Sequence, residues 1–147
     1  MAEYTIVPLQ ENDYHNGFLQ LLEQLTTVNA DSITYEDYIV QFNKMKSKVF
    51  VIKDDTVTDT NKIIATASIF IEEKFIHKLS SVGHIEDVVV DSNYRTKGLG
   101  KKLIEHCIMY AKANDCYKII LDCATKNIPF YEKCGFEYKN VQMSIYV

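Results

Sequence analysis

Apolar residues recur along the chain in two spacings, and together they predict alternating strands and helices. Ile85 with Val88-Val89-Val90 forms one apolar run of strand length, and residues 117–123 form a second. Both runs are predicted to be buried strands. The segment between them has apolar residues on one helix face, at Leu99, Leu103, Ile104, Cys107 and Ala111. Strands crossed with helices around one mixed sheet predict an α/β (α+β layered) fold.

Shorter patterns predict the remaining elements. Further strands are expected at residues 4–9, 49–53, 62–72 and 136–146. One helix is expected to open at Asp13, and another to begin at a capping box formed by Thr34 and Asp37. A short helix at 128–133 precedes Gly135, which suits the left-handed position after a helix. Because the sequence has neither a repeat nor a linker, the whole 147-residue chain is predicted to be one domain.

The connection between the two apolar runs, Arg95-Thr96-Lys97-Gly98-Leu99-Gly100, has the composition of a loop that grips phosphate. Its glycines remove Cβ atoms where the backbone comes close to a ligand. The helix that follows offers unpaired N–H groups and the positive end of its dipole, and Lys101 and Lys102 add cations. A Walker loop would need Lys-Ser/Thr after its second glycine, and a dinucleotide fingerprint would need a glycine at Leu103. The form Arg-x-x-Gly-x-Gly therefore predicts a phosphorylated cofactor of another kind.

Composition and charge narrow the class of protein. Hydrophobic residues make up 47% and charged residues 24% of the chain, which is typical of a soluble globular domain. The net charge of −4 argues against nucleic-acid binding. The start, Met1-Ala2-Glu3-Tyr4, lacks the basic and then apolar order of a secretory signal, and no apolar run is long enough to span a membrane. A cytoplasmic location is the resulting expectation.

Four cysteines, at 107, 116, 123 and 134, show neither C-x-x-C spacing nor metal-type spacing with histidine. They are expected to be reduced packing residues, and no metal site is predicted. An acyl-cysteine intermediate at Cys123 or Cys134 is the alternative. It is disfavoured because neither cysteine has an evident histidine partner in the sequence.

Three segments around the loop resemble the glucosamine 6-phosphate N-acetyltransferases, a branch of the GNAT superfamily of acyl-CoA-dependent N-acyltransferases. They are residues 83–90, 116–123 and 127–136, within a close match over 74–136 and a looser one at 25–28. The resemblance implies a mainly antiparallel sheet whose two middle parallel strands, 83–91 and 117–123, splay apart. It also implies acetyl-CoA as co-substrate, glucosamine 6-phosphate as acceptor in UDP-N-acetylglucosamine biosynthesis, and an intertwined homodimer that shares the last strand and the substrate site.

Splayed strands leave backbone N–H and C=O groups without ladder partners, and the amides of a pantetheine arm can replace the missing strand. The backbone of Val88, Val89 and Val90 is therefore the predicted pantetheine partner, with a bulge near Glu86-Asp87 causing the separation. The resemblance implies further cofactor contacts at Asn127, Phe130 and Tyr131.

The resemblance also suggests which side chains take part in the chemistry. Tyr131 is expected beside the CoA sulfur, where its phenol can donate a hydrogen bond to the departing thiolate and can transfer its proton. Glu86, Asp87 and Asp122 are expected around the amino sugar. Glu86 and Asp122 are the favoured amine-side groups, acting directly or through water, and no single general base is assigned.

The sugar phosphate requires cations and hydroxyl donors. The family pattern points to a substrate-binding set at Thr26, Lys74, His77, Glu86, Asp87, Val88, Tyr117 and Lys118. Two departures stand out: Thr96 replaces a glycine common in the branch, and the chain ends Ile145-Tyr146-Val147 where fungal relatives have a phosphate-binding arginine. The leading hypothesis is direct acetyl transfer in a ternary complex. The alternatives are a GNAT enzyme acting on peptide or lysine amines, and a CoA-binding regulatory module without turnover.

Overall fold

The computed structural model describes residues 4–147, and five of its segments form one mixed sheet in the order β1-β2-β3-β4-β5. The strands are β1 Ile6–Pro8, β2 Lys48–Lys53, β3 Ile63–Glu73, β4 Ser81–Val90 and β5 Cys116–Ile120. β1 to β4 are antiparallel neighbours, and β5 pairs with β4 in parallel. The predicted mixed, mainly antiparallel sheet is confirmed. The expectation about a secretory signal falls partly on Met1–Glu3, which lie outside the described residues.

Five α-helical segments lie around the sheet in residues 4–147. They are α1 Phe18–Leu22, α2 Tyr35–Lys44, α3 Ile76–Leu79, α4 Leu99–Ala113 and α5 Ile128–Lys133. The predicted capping box begins α2, because Asp37 N donates to Thr34 Oγ1 at 3.1 Å and Thr34 N donates to Asp37 Oδ2 at 3.0 Å. α3 is a single turn in which His77 and Lys78 have left-handed backbone angles. Across residues 4–147, no helix has the length and apolar character needed to cross a bilayer.

Two apolar clusters pack on opposite faces of the sheet and position the site. α4 covers one face, and all five of its predicted core residues are at most 4% exposed. α1 and α2 cover the other face, where Phe18, Leu21 and Tyr38 pack with Val89. Burying one such large side chain stabilises the fold by roughly 1.5–3 kcal/mol. Because β4 and the start of α4 belong to the same core, the loop between them is held on a rigid base.

The two parallel strands separate halfway along β4. Pairing between them ends at His84 and Ile120, and the rest of β4, Ile85–Val90, pairs with β3 alone. A bulge lies within Ile85–Val90, since Thr66 pairs with Val89 while Ser68 pairs with Glu86. Asp87 adopts a φ of +52° there. The predicted splay and bulge are therefore present, and one edge of β4 has free backbone groups to offer a ligand.

The single helix expected to open at Asp13 is divided into two shorter elements. A 3₁₀ turn covers Glu11–Asn16, and Gly17, with a φ of +84°, separates it from α1. Asp13 is the third residue of that turn and is fully buried. Its carboxylate accepts a hydrogen bond from Gln10 N at 2.9 Å and pairs with Lys53 Nζ at 2.8 Å, so a cap and a counter-ion offset the cost of burial.

Two strand predictions are wrong. Residues 117–123 were expected to be buried, yet β5 ends at Ile120 and none of its five residues is buried. β5 is the sheet's edge strand, so only one of its sides is paired. The segment 136–146 was expected to be the last strand, but it forms no strand within residues 4–147. Residues 137–147 are exposed, and the side chain of Tyr146 is 96% exposed.

Candidate active site

The loop from β4 to α4 forms an anion site out of backbone. Residues Ser92–Lys97 make a 3₁₀ turn, Gly98 has a φ of +73°, and α4 begins at Leu99. The hydrogen bond from Lys102 N to Gly98 O, at 3.2 Å, closes the first turn of α4. The N–H groups ahead of Lys102 therefore have no partner inside the helix, and the dipole of this 15-residue helix adds positive potential. The arrangement suits a diphosphate.

The two loop glycines serve different purposes. A Cβ at Gly98 would meet no atom within 4 Å, so Gly98 is required by its positive φ alone. A Cβ at Gly100 would lie 3.2 Å from Phe130 Cζ and 3.6 Å from Val90 Cγ2. Gly100 therefore lets α5 approach the start of α4. Three of the predicted cofactor residues, Val90, Gly100 and Phe130, meet at this point.

The cations of the loop take different directions. Arg95 Nε donates to Val90 O at 3.1 Å, which folds this exposed side chain back over the end of β4. Lys101 Nζ lies 3.8 Å from Glu105 Oε1 on the exposed side of α4. Lys102 Nζ instead donates to the carbonyl of Tyr4. Lys102 thus contacts the segment just before β1.

An interaction that sequence reasoning missed ties the loop to the connection between β2 and β3. The Tyr94 hydroxyl donates to Asp54 Oδ2 at 2.6 Å, and Asp54 Oδ1 accepts from Thr56 Oγ1 at 2.6 Å. Hydrogen bonds from Thr56 and then Tyr94 lower the pKa of Asp54, and the same carboxylate raises the pKa of Tyr94 to about 12. An Asx turn at Asp54 is a local signal. Tyr94, its partner, lies 40 residues away, and no local sequence pattern indicates that contact.

Tyr131 lies in α5, half-buried between Phe130 and Phe136. Burial, followed by the neighbouring Cys123, raises the pKa of its phenol to about 12. Asp122 adds to the same effect. The hydroxyl therefore remains protonated through the physiological range, which makes it a hydrogen-bond donor.

The three predicted acidic residues come together where the strands splay. Glu86 and Asp87 lie at the bulge in β4, and Asp122 follows the end of β5. Desolvation, then the charges of Asp122 and Asp87, raises the pKa of Glu86, while His84 opposes this. A carboxylate with a raised pKa is a better proton acceptor, so Glu86 is the member of this group best suited to take a proton from an amine.

The predicted phosphate-binding residues form a separate group at the amino end of β4. The rings of His77 and Tyr117 stack with centroids 4.0 Å apart, and Lys118 Nζ is 5.6 Å from the Tyr117 centroid. Lys74 pairs with Glu72 at 3.1 Å. We call the residues Lys74, His77, Tyr117 and Lys118 the cation group, and Glu86, Asp87 and Asp122 the acid group.

Lys118 is separated from the acid group along β4, whereas Lys74 is linked through Glu72 to His84, two residues before Glu86. Lys118 pairs with Val82, and Glu86 lies four residues further along β4. At about 3.3 Å per residue, the backbone positions of Val82 and Glu86 are roughly 13 Å apart. Thr26 belongs to neither group. It lies in the α1–α2 connection, where residues 23–29 line an open cavity of about 390 Å³.

This combination of a splayed sheet and a helix-end anion site defines a class of acyl-CoA-dependent enzymes, and sequence comparison agrees. The profile of the acetyltransferase (GNAT) family matches residues 15–136, and the chain belongs to this family. It is 45% identical to glucosamine 6-phosphate N-acetyltransferase 1 of Dictyostelium discoideum, over 95% of this chain and 88% of that protein.

A plant relative is similar in both sequence and structure. The glucosamine 6-phosphate N-acetyltransferase of Arabidopsis thaliana is 44% identical over 99% of each chain. The crystal structure of the Arabidopsis thaliana enzyme aligns with a TM-score of 0.91 at 42% identity, again covering 99% of each chain. The predicted GNAT fold and the predicted family are confirmed.

Proposed function

We propose that this protein transfers the acetyl group of acetyl-CoA to the amine of glucosamine 6-phosphate, releasing CoA and N-acetylglucosamine 6-phosphate. The observation that carries the cofactor half is the free edge of Ile85–Val90, which leads directly into the unpaired amides at the start of α4. The edge suits the pantetheine amides, and the helix end suits the diphosphate. The acceptor follows from the relatives, whose names specify glucosamine 6-phosphate.

The reaction needs no covalent enzyme intermediate. The neutral amine attacks the thioester carbonyl, a C–N bond forms, and the C–S bond then breaks. Holding both substrates in one ternary complex supplies much of the rate acceleration. Glu86, with Asp122 beside it, accepts the amine proton directly or through water, and this proton is finally delivered to the CoA thiolate.

Tyr131 acts on the leaving group as a hydrogen-bond donor. With a pKa of about 12, its phenol is a weaker acid than a thiol with a pKa of about 8.5. The phenol therefore keeps its proton while it stabilises the thiolate, and the stabilisation appears only as negative charge develops on sulfur. Of the two roles expected for Tyr131, hydrogen bonding and proton transfer, we therefore keep the hydrogen bond.

The open edge of β5 and the exposed apolar residues near the cation group support a homodimer in which each active site is shared. The cation group of one copy would then serve the acid group of the other. β5 has an open outer edge, and the exposed segment 137–147 has the length to add to such an edge. Phe75, 93% exposed beside the cation group, adds an apolar surface that a second copy would cover.

The free cysteines fit a reducing compartment such as the cytoplasm.

Thiol release from acetyl-CoA with a panel of amines tests the proposal. Glucosamine 6-phosphate should be the best substrate, ahead of unphosphorylated glucosamine and a lysine-containing peptide. Equal rates with glucosamine and its 6-phosphate would contradict the role of the cation group. A preference for the peptide would instead support the second candidate acceptor, and an absence of any turnover would support a CoA-binding module.

Mixing two impaired variants, assayed with glucosamine 6-phosphate well below the KM of Lys118→Ala, tests the shared site. Lys118→Ala removes a member of the cation group, and Tyr131→Phe removes the thiolate donor. If sites are shared across a two-fold axis, mixed dimers have one intact site, and a refolded equimolar mixture should regain about a quarter of parental activity. Sites built within one copy would regain none.

A further inference from the structure

One exposed glutamine joins the two substrate-binding segments of the chain. Gln24 follows α1, and both polar atoms of its side-chain amide form long-range hydrogen bonds. Nε2 donates to Asp91 Oδ2 at 2.9 Å, and Oε1 accepts from Ser92 N at 3.0 Å. These partners are 67 and 68 residues further along the chain. A carboxylate requires a donor and a backbone N–H requires an acceptor, so only one orientation of the amide satisfies both.

Asp91, which accepts from Gln24 Nε2, also organises residues 91–98 between β4 and α4. We call these residues the anion loop. Asp91 Oδ1 accepts from Asn93 N at 2.8 Å, and Asp91 O accepts from Tyr94 N at 2.8 Å. Asp91 is thus the cap of the 3₁₀ turn Ser92–Lys97 that leads into Gly98. Asp91 Oδ1 therefore caps the turn, and Asp91 Oδ2 accepts the hydrogen bond from Gln24. Any ordering of the loop by a bound diphosphate is therefore transmitted to the position of Gln24.

On its other side, Gln24 begins the segment predicted to contact the sugar. Thr26 lies two residues further on, and its N–H bonds to Leu22 O at 3.1 Å. The segment lies on the surface, since Gln24 through Thr27 are all exposed. Exposed hydrogen bonds contribute little to the stability of a core. Backbone bonds hold this surface segment to the end of α1, and the two long-range bonds of Gln24 tie it to the loop after β4.

We propose that Gln24 is a positioning residue that couples the acetyl-CoA site to the sugar-phosphate site. CoA bound at the anion loop fixes Asp91 and Ser92, these hold Gln24, and Gln24 holds the segment of Thr26 ready for the acceptor. The coupling is reciprocal, because each ligand then strengthens the binding of the other by the same factor. The inference rests on the proposed function.

Calorimetry measures this coupling with CoA and glucosamine 6-phosphate, a pair that does not react. The quantity is the ratio of the sugar-phosphate Kd without CoA to that with saturating CoA, and the parent ratio should be about five or more. Gln24→Ala should bring the ratio close to one while changing the Kd for CoA alone by less than about twofold. Gln20→Ala, an exposed residue one turn earlier in α1, is the matched control and should keep the parent ratio.

Exchanging the amide of Gln24 and the carboxylate of Asp91 tests whether their hydrogen bond positions the segment or only stabilises the fold. Gln24→Glu places two carboxylates together, and Asp91→Asn places two amide donors together, so each single variant should lose the coupling. The double variant restores a donor at position 91 and acceptors at position 24. The amide oxygen introduced by Asp91→Asn can still accept from Asn93 N, so the cap of the loop is kept. The double variant should therefore recover the parent ratio within about twofold.

Several results would overturn the coupling. A parent ratio of one, an unchanged ratio in Gln24→Ala, or losses that merely add in the double variant would each do so while the proposed function stands. A parent that binds CoA but shows no affinity for glucosamine 6-phosphate would overturn the proposed acceptor, and the coupling with it. Thermal melting within about 2 °C of the parent confirms that each variant is folded.

Discussion

At the carboxyl end of β4, one copy of the chain supplies the cofactor-binding parts together: the free strand edge, the helix-end amides, and Phe130 packed against Gly100. At the amino end, His77 and Lys118 of the cation group are exposed, and the neighbouring Phe75, Ile76 and Leu79 are exposed within residues 4–147. The buried core under α4 accounts for the first arrangement. The comparison teaches that the predicted cofactor-binding parts are assembled within the fold of one chain, whereas the proposed acceptor site is expected to need surfaces from a second copy.

The largest effect should come from the carboxyl end. Tyr131→Phe removes the hydroxyl and keeps the ring that packs between Phe130 and Phe136. Because the hydroxyl stabilises charge that exists only in the transition state, kcat should fall about 10³-fold with the Kd for CoA nearly unchanged. Single-turnover kinetics and calorimetry measure the two quantities. A parallel loss of CoA affinity would mean that Tyr131 binds cofactor and does not act in catalysis.

The pH dependence of kcat/KM should report the protonation of the acid group. The pKa of Glu86 is raised, so its carboxylate is lost as pH falls through that value, and kcat/KM should fall on the acidic side. Glu86→Gln should reduce kcat/KM about 10²-fold and remove this acidic limb. A variant that keeps the limb would shift the assignment to Asp122 or Asp87.

Lys118→Ala tests phosphate binding by the cation group at the amino end of β4, separately from cofactor binding. The loss of a charge-assisted contact to phosphate should raise KM for glucosamine 6-phosphate about 30-fold, with little change for unphosphorylated glucosamine. The Kd for CoA should not change, because Lys118 lies roughly 13 Å along the sheet from Glu86. Lys112→Ala, an exposed lysine near the end of α4, is the matched control. Equal losses for both sugars would remove Lys118 from the phosphate site.

The same division explains which features could be predicted from the sequence. The anion loop, the helix face of α4 and the capping box at Thr34 are all local patterns, because their residues lie within a few turns of one another. The residues 117–123 and 136–146 also have strand patterns, but a pattern cannot say whether a partner strand comes from the same copy. The contacts of Gln24 with Asp91 and of Tyr94 with Asp54 join distant segments, and tertiary folding alone creates them.

The two loop glycines should respond differently to a methyl group. Gly98→Ala imposes a left-handed φ on a residue with a Cβ, at a cost of about 1–2 kcal/mol, so the Kd for CoA should rise about tenfold. Gly100→Ala presses on Phe130 at 3.2 Å, and its effect should fall when Phe130→Leu is added. Calorimetry on the single and double variants checks both statements. Relief of Gly98→Ala by the same second substitution would contradict the conformational explanation.

Tyr94→Phe should have the smallest effect. It removes the hydrogen bond to Asp54 that anchors the loop, and the Kd for CoA should rise about threefold. The folded pKa of Asp54 lies below its unfolded value of about 3.9, so its contribution to stability is present above that pH and is lost as pH falls through the folded pKa. Without Tyr94 the folded pKa moves back toward the unfolded value. Urea midpoints from pH 6 down to pH 3 should therefore decline less in Tyr94→Phe than in the parent, and an equal decline would mean that Thr56 alone maintains the low pKa.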